Sequence, residues 1–398
     1  MSQPALELAD IFRQHGPGYR ARHGLPVEHL KVMRAIETCR TAVLGGHVER
    51  CGRCAHQRIA YNSCRNRHCP KCQTLAKEQW LQRRKAELLP IAYFHVVFTV
   101  PAVIAQIALQ NKRAVFQILF RASAETLLTI AADPQHLGAT IGFFSILHSW
   151  GQNLLFHPHV HCVVTGGGLS PQQEWIATRP HFFLSVRVLS RLFRRLFLEA
   201  LEAAFDQGDL EFHGQLEALR DPELFQQHLQ PARQTEWVVY AKPPFGGPDQ
   251  VIEYLGRYTH RVALSNQRLL AFHEDQVRFQ YKDYHSADPQ RWRQMILPVE
   301  EFVRRFLLHV LPTGFQRIRH YGLFTNRYRA ENIARCRELL AGPRPELLPA
   351  PLQTQEILAA IVEPVARCPQ CKLGVMVRVS EIPPIRWPRL PPPFPDSS

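Results

Sequence analysis

The stretch SWGQNLLFHPHVHCVVTGGG, residues 149–168, decides the fold of this chain. Its centre predicts a β-strand, and side chains two positions apart on a strand point to the same face. His159 and His161 therefore present two imidazoles together, while Val160 and the valines that follow serve the packing. Two histidines leave most of the coordination sphere of a divalent metal ion open, which suits the binding of a phosphate oxygen or a water molecule. Taken alone, the triplet is equally well explained by a strand that carries two half-exposed histidines.

A third metal ligand is expected from the preceding strand. The run IGFFSILH, residues 141–148, also predicts a β-strand. If it pairs antiparallel with residues 159–165 across the intervening loop, His148 near its end faces the two histidines. Gln152 and His157 in the loop are the alternatives, and we favour His148 over Gln152.

The composition favours a polyanionic partner. The 398 residues include 48 Lys and Arg against 34 Asp and Glu, which gives a net charge of +14 and a pI near 9.6. A positive field of this size indicates nucleic acid as the first candidate. A basic membrane-surface protein is disfavoured because the chain has no Lys-rich amphipathic helix and no lipidation motif. The N-terminus lacks the layout of a signal peptide, and no apolar run approaches the roughly 18 residues of a membrane span. The sequence therefore predicts a cytoplasmic protein without a membrane partner.

Cysteine spacing predicts a zinc-binding segment near the N-terminus. Five of the ten cysteines fall within residues 51–72, CGRCAHQRIAYNSCRNRHCPKC. Two CxxC knuckles can each place two thiolates on one tetrahedral ion, and the residues between them suit a short hairpin. The expected Zn²⁺ ligands are Cys51, Cys54, Cys69 and Cys72, with Cys64 and His68 as alternatives. The basic residues around the knuckles make this segment a candidate DNA-recognition element.

A further CxxC, from Cys368 to Cys371, has no obvious second pair in the sequence. It either borrows ligands from elsewhere in the chain or is free of metal, and we favour the metal-free alternative. The Pro-rich stretch IPPIRWPRLPPPFPDSS that follows predicts disorder.

The stretch QVIEYLGRYTHRVALSN is the second one whose residues indicate a chemical function. Its apolar positions recur at helical spacing, which places Tyr254 and Tyr258 one turn apart on the same face. A tyrosine hydroxyl has an ordinary pKa of about 10, so as a nucleophile it needs nearby positive charge or a metal-polarised electrophile. Arg257, His260 and Arg261 flank the pair and can supply charge or hold phosphates. Aromatic residues at helical spacing are also typical of a protein core.

Two more segments are expected to line a DNA path. LLAFHEDQVRFQYKDY predicts a hairpin that turns at His273 to Gln276, and Lys282 near its end either contacts DNA or is an ordinary edge-strand residue. HVLPTGFQRIRHYGLF mixes Arg317 and Arg319 with aromatic residues. This mixture suits single-stranded DNA, because aromatic faces stack on bases and arginine contacts phosphates.

Together and in this order, these stretches resemble the two-tyrosine transposases of bacterial rolling-circle insertion sequences, a branch of the HUH endonucleases. The resemblance spans about residues 30 to 340 and is far more specific than HxH or CxxC alone. It rests on the CxxC segment ending in YNSCRNRHCPKCQ, on HVVFTVP (95–101), on LHSWGQNLLFHPHVHCVVTGGG (147–168), on EYLGRYTHRVALSN (253–266) and on HVLPTGFQRIRHYGLF (309–324).

The resemblance implies an α+β fold: an HUH nuclease domain with a central antiparallel sheet flanked by helices, plus a small N-terminal zinc-binding domain. It implies that His159 and His161 hold Mg²⁺ or Mn²⁺. It also implies that Tyr254 or Tyr258 attacks a DNA phosphate, giving a 5′-phosphotyrosine link and a free 3′-hydroxyl, and that the other tyrosine takes the next strand. The implied partner is DNA, mainly single-stranded element ends and target. A rolling-circle replication initiator and a non-catalytic, zinc-dependent DNA-binding repressor are the alternatives.

The expected organisation has four parts. They are a helical lead-in (1–48), a zinc-binding DNA-recognition domain with a connecting helix (49–90), the HUH transposase domain (91–340), and a partly disordered C-terminal extension with the last CxxC and the Pro-rich tail (341–398).

Overall fold

The computed structural model describes residues 6–72, 81, 87–179, 183–245, 250–251, 263–283, 292–341 and 367–385. Contacts divide the chain into two compact units. The smaller unit combines residues 7–73 with residues 352–398, and the larger unit combines residues 1–6 with residues 74–351. The sequence analysis set the C-terminal extension apart, whereas its described part shares a unit with the N-terminal cysteines.

In chain order the described helices are α1 (Leu8–Arg22), α2 (Val27–Thr38), α3 (Ala102–Gln110), α4 (Lys112–Ala132), α5 (Val186–Asp206), α6 (Pro222–Gln234), α7 (Val299–Leu308) and α8 (Arg329–Ala341). The described strands are β1 (Gly46–Cys51), β2 (Gln57–Tyr61), β3 (Tyr93–Thr99), β4 (Thr140–Trp150), β5 (Phe156–Leu169), β6 (Trp175–Ala177), β7 (Val239–Phe245), β8 (Leu269–His273), β9 (Gln276–Lys282), β10 (Trp292–Pro298), β11 (Ile318–Gly322) and β12 (Met376–Ile382).

The smaller unit consists of two packed helices and an antiparallel sheet. Helices α1 and α2 contact each other through their buried faces, which include Phe12 and Met33. In the described residues the sheet has three strands in the order β12-β1-β2. Strand β1 is therefore the central strand, and it pairs on one side with a segment from the other end of the chain.

A six-stranded antiparallel sheet forms the centre of the larger unit within the described ranges. Five strands follow the order β11-β4-β5-β3-β7, and β6 pairs with the end of β5. The strand with the HxH triplet, β5, is therefore the middle one. The glycine run at its end permits close neighbours, since an added Cβ on Gly166 would lie 2.7 Å from the carbonyl oxygen of Ala92. The predicted α+β fold with a central antiparallel sheet flanked by helices is confirmed.

Alternation along β5 gives the sheet two chemically different faces. Val160, Cys162 and Val164 belong to the main core, which helices α3 to α6 cover. Val163 belongs to a second buried cluster, to which α8 contributes. Because odd-numbered side chains of β5 share a face, His159 and His161 lie on the side of this second cluster.

Helix α4 is long and apolar enough to cross a membrane by length and composition. In the structure, 67% of its most apolar window is buried. The helix packs against α5 and against strands β4 and β5. Its hydropathy is therefore explained by its place in the main core.

Strands β8, β9 and β10 form a second antiparallel sheet that α7 contacts. The predicted turn from His273 to Gln276 is confirmed. Glu274 and Asp275 occupy the turn with φ angles of 48° and 58°. Positive φ at both central residues is what a two-residue hairpin turn requires to match the twist of its strands.

Candidate functional site

Three histidines on two neighbouring strands converge on one point of the sheet. His148 of β4 lies directly opposite His159 of β5, and His161 follows two residues later on β5. The ring centroids lie 5.5 Å apart for the pair 148 and 159, 4.4 Å for 148 and 161, and 4.8 Å for 159 and 161. One ring nitrogen of each histidine lies within 4.8 Å of those of the other two. The register explains the convergence, because opposite residues of antiparallel strands project to the same face.

Hydrogen bonds orient both β5 histidines so that Nε2 is the available ligand atom. The Nδ1–H group of His159 donates to the carbonyl oxygen of His157 at 2.7 Å. Nδ1 of His161 lies 2.8 Å from Nε2 of His95, and the two ring planes differ by 5°. An imidazole that donates through one nitrogen can offer the lone pair of the other to a metal ion.

Burial keeps the β5 imidazoles in their neutral form. It lowers the pKa of His159 to about 4, and the neighbouring His157 adds to the effect. Burial also lowers the pKa of His161 well below its usual range, with His148 as the next cause. Neutral imidazole is the form that binds divalent ions, so these side chains fit a metal at neutral pH.

Of the two histidine candidates for a third ligand, His148 joins the HxH pair in a described group of three, and His157 does not. His157 contributes its backbone carbonyl to His159 instead. Gln152 has a buried Oε1 with no hydrogen-bond partner in the part of the chain that the structure describes.

His95 of β3 is a site residue that the sequence analysis did not single out. It is 2% exposed, and burial lowers its pKa to about 3, with the charge of Lys242 as a second cause. Its register partner is Val163, so it lies on the same face as the three histidines. Lys242 of β7 pairs with His95 and brings an exposed cation to that face. The motif HVVFTVP contains His95, but a motif does not reveal which strand its residues pair with.

The two tyrosines and their basic neighbours lie outside the described residues: Tyr254, Arg257, Tyr258, His260 and Arg261. Val251, three positions before the first tyrosine, is fully buried in the same cluster as Ile146 and Val163. Ile146 pairs with His161, so this cluster lies on the histidine face of the sheet. The chain therefore reaches the histidine face shortly before the tyrosines.

The other residues predicted to contact DNA lie in or beside strands β9 and β11. Lys282 is exposed at the end of β9, with Nζ 5.1 Å from the centre of the Trp292 ring. The guanidinium group of Arg319 stacks 4.3 Å from the centre of the Phe120 ring, which belongs to the main core. Arg319 therefore projects to the face opposite the histidines. Arg317, just before β11, is half-buried.

The four cysteines predicted to share one zinc ion do not come together in the structure. The described residues instead contain two groups of four cysteines, and within each group all sulfur atoms lie within 4.8 Å of one another. The first group consists of Cys39, Cys64, Cys69 and Cys72. The second consists of Cys51, Cys54, Cys368 and Cys371. The predicted ligand set is therefore corrected, because the two knuckles belong to different groups and each is completed by two other cysteines.

The first cysteine group has the donor chemistry of a structural zinc site. The Sγ atom of Cys72 lies 3.4 Å from that of Cys39 and 3.5 Å from that of Cys64. These separations approach the edge of about 3.8 Å that follows from tetrahedral Zn–S bonds of about 2.3 Å. Cys64, an alternative ligand in the sequence analysis, belongs to this group, whereas His68 does not.

Counting the cysteines would have indicated two sites. Cys162 lies in an apolar strand and Cys336 in a helix rich in charged residues, and both are buried in hydrophobic clusters. The other eight of the ten cysteines form two sets of four, which is the number that a closed zinc site requires. Cys39 was not among the predicted ligands because it stands alone at the end of a helix rather than in a CxxC pair.

Comparison with known proteins identifies the family. A family model described as "Putative transposase" matches residues 142–332, and one described as "Transposase zinc-binding domain" matches residues 11–100. The chain is 57% identical over 384 residues to "Putative transposase y4qJ" of Sinorhizobium fredii, covering 95% of this chain and 96% of that protein. It is 27% identical over 336 residues to the transposase for insertion sequence element IS801 of Pseudomonas savastanoi pv. phaseolicola, covering 83% and 79%.

A solved structure of the conjugative relaxase TrwC in complex with oriT DNA matches 62% of this chain and 72% of that chain at 13% identity. Its TM-score of 0.22 is too low to carry an argument. The sequence relatives identify the family without this structure, because identity of 57% extends over nearly the full length of both proteins. They confirm the family that the motifs indicated, and the zinc-binding match identifies Zn²⁺ as the ion of the N-terminal cysteines. This chain therefore belongs to the family of insertion-sequence transposases that carry an N-terminal zinc-binding domain.

Proposed function

We propose that this transposase nicks and joins single-stranded DNA at the ends of its insertion sequence through 5′-phosphotyrosine intermediates. The observation that carries the proposal is the convergence of His148, His159 and His161 on one face of the sheet, two of them held neutral by burial. Three nitrogen ligands leave coordination positions for the oxygen atoms of a phosphodiester. Mg²⁺ or Mn²⁺ bound there would draw charge from the scissile phosphate and orient it.

In the proposed reaction, the phenolic oxygen of Tyr254 or Tyr258 attacks the phosphorus atom. The phenol gives up its proton as a bond forms between its oxygen and phosphorus, the bond from phosphorus to the 3′ oxygen breaks, and the departing oxygen takes up a proton. A free 3′-hydroxyl can later attack the protein–DNA link, which restores a phosphodiester and releases the tyrosine. Each transfer exchanges one phosphodiester for another, so joining needs no external energy source. Two tyrosines allow a second cut before the first link is resolved.

Charge supports DNA as the partner. The chain has a net charge of +14, and Lys242 adds an exposed cation to the histidine face. The proposed DNA contacts are Arg257, His260, Arg261, Lys282 and Arg317. Arg319 belongs with them only if DNA also follows the opposite face, because its guanidinium group stacks on Phe120 there. We place the protein in the cytoplasm, where its DNA substrate lies.

The proposal is tested with a single-stranded oligonucleotide that carries an element end, incubated with the protein and Mn²⁺. With the label at the 3′ end, we expect it to migrate with the protein under denaturing conditions. With the label at the 5′ end, we expect a shorter fragment that a polymerase can extend. Retention of the 5′ label on the protein would contradict the polarity. Binding without any cleavage would instead favour the non-catalytic repressor.

His95 is expected to position the metal ligand His161 rather than to touch DNA. Changing His95 to Gln removes the ring that holds Nδ1 of His161. Loss of such a supporting hydrogen bond weakens metal binding by about 10- to 100-fold. We therefore expect the Mn²⁺ concentration for half-maximal nicking to rise by that factor, with little change at saturating Mn²⁺.

The matched control for this experiment is His309→Gln. His309 is also 2% exposed, but it lies outside the three-histidine group in the described residues. The control therefore reports what burying a glutamine costs by itself. Equal Mn²⁺ dependence in the two variants would show that His95 has no positioning role.

A further inference from the structure

We propose that Cys51, Cys54, Cys368 and Cys371 bind a second zinc ion, so that the zinc-binding unit is built from both ends of the chain. The Sγ atoms of Cys51 and Cys371 lie 3.7 Å apart, and those of Cys54 and Cys368 lie 3.6 Å apart. Tetrahedral Zn–S bonds of about 2.3 Å require sulfur atoms about 3.8 Å apart. Each CxxC thus contributes two thiolates, and the two pairs face each other.

The same distances exclude disulfides in this structure. A disulfide holds its sulfur atoms about 2.05 Å apart, and all four cysteines are free thiols. Pairwise bonding would also leave no reason for all four sulfur atoms to gather within 4.8 Å of one another. Within the described residues the group consists of four thiols and includes no carboxylate. A set of sulfur donors favours a soft ion such as Zn²⁺ over Mg²⁺ or Ca²⁺.

Backbone amides donate hydrogen bonds to the sulfur atoms, as groups around the ligands of metal sites do. The amides of Arg53 and Cys54 point to Sγ of Cys51, at 3.4 and 3.5 Å. The amide of Gly374 points to Sγ of Cys371 at 3.3 Å. Such hydrogen bonds spread the charge of the sulfur and fix its direction. The site is therefore oriented by the backbone of both knuckles.

Gly374 allows the two knuckles to approach. An added Cβ at this position would collide with Sγ of Cys51 and lie 2.9 Å from Cβ of Arg53. The amide of Gly52 also donates to the carbonyl oxygen of Val375 at 3.1 Å. The backbone of the C-terminal knuckle thus packs closely against that of the N-terminal knuckle.

Strand β12 brings the C-terminal knuckle to the N-terminal one. It pairs antiparallel with β1, and Met376 lies opposite Cys51 in the register. Most of β12 is solvent-exposed, and the side chain of Val377 is 55% exposed. In the described residues, the buried cluster that includes a residue of this strand consists of Cys51, Cys368 and Met376, with Cys371 packed against it. A core this small does not hold a strand by hydrophobic burial, which is the situation in which proteins use a metal as a staple.

Metal content tests the proposal without DNA, so its outcome is independent of the nuclease mechanism. We expect two zinc ions per full-length chain by elemental analysis and one in the double variant Cys368→Ser, Cys371→Ser. The matched control, Cys336→Ser, changes a buried cysteine of the larger unit and should retain two zinc ions. Two zinc ions in the double variant, or iron in place of the second zinc, would overturn the proposal.

Alkylation of the unchanged protein tests the same site without requiring that the double variant folds. With zinc present, we expect N-ethylmaleimide to modify Cys51, Cys54, Cys368 and Cys371 slowly, as mapped by mass spectrometry. A chelator should raise the labelling of all four at the same rate, because losing the ion frees every ligand together. Labelling of Cys368 and Cys371 that is equally fast with and without chelator would refute the site.

Discussion

The double variant Tyr254→Phe, Tyr258→Phe is expected to form no covalent adduct with single-stranded DNA. Phenylalanine keeps the ring but lacks the nucleophilic oxygen, and removal of a nucleophile costs about 10⁴-fold or more in rate. Either single variant retains one nucleophile, so we expect an adduct from each. Strand joining should fall in both single variants, because it uses the two tyrosines in succession. Denaturing electrophoresis of the 3′-labelled oligonucleotide measures all of these outcomes.

Tyr328→Phe is the matched control for the tyrosine variants. Tyr328 is exposed in the larger unit and undergoes the same chemical change. It should form the adduct at the original rate. DNA binding of the double variant, followed by fluorescence anisotropy, should remain close to that of the original protein. An adduct that persists in the double variant would show that another residue is the nucleophile.

Changing His159 to Ala is expected to lower metal-dependent nicking by about 10³-fold or more, equivalent to about 4 kcal/mol of activation free energy. His159 lies on the same face as His148 and His161, and each ring offers one nitrogen to the group. Its loss leaves two nitrogen ligands. We then expect the ion to lose the position in which it contacts the scissile phosphate. Initial rates over a Mn²⁺ titration measure the effect, and high Mn²⁺ should restore only part of the rate.

His157→Ala is the control that separates the effect of losing the His159 ring from the effect of changing the loop beside it. The hydrogen bond from His159 is accepted by the backbone carbonyl of His157, which alanine retains. The variant should therefore nick at close to the original rate. Equal losses in the two variants would show that the loop conformation, rather than metal binding, governs the rate. Nicking that proceeds without any divalent ion would contradict the proposed metal site.

The histidine site shows what local patterns reveal. Alternation along a strand placed His159 and His161 on one face, and the β4–β5 pairing inferred from the loop between them brought His148 to the same place. His95 could not be identified in this way, because its strand comes from a distant part of the chain and its register is set by sheet packing. Arg319 shows the same difficulty. Its motif indicated a DNA contact, but the side on which it projects depends on how β11 pairs with β4.

By itself, the sequence determined the family, the α+β architecture, the central strand with its paired histidines and the presence of zinc-binding cysteines. These features follow from side-chain periodicity and from short motifs, which depend on residues close together in the chain. Only the tertiary structure decided how the cysteines combine. Cys51 pairs across the second group with Cys371, 320 positions away, through the pairing of β1 with β12. A metal site collects ligands by distance in space, and spacing along the chain limits that distance only for near neighbours.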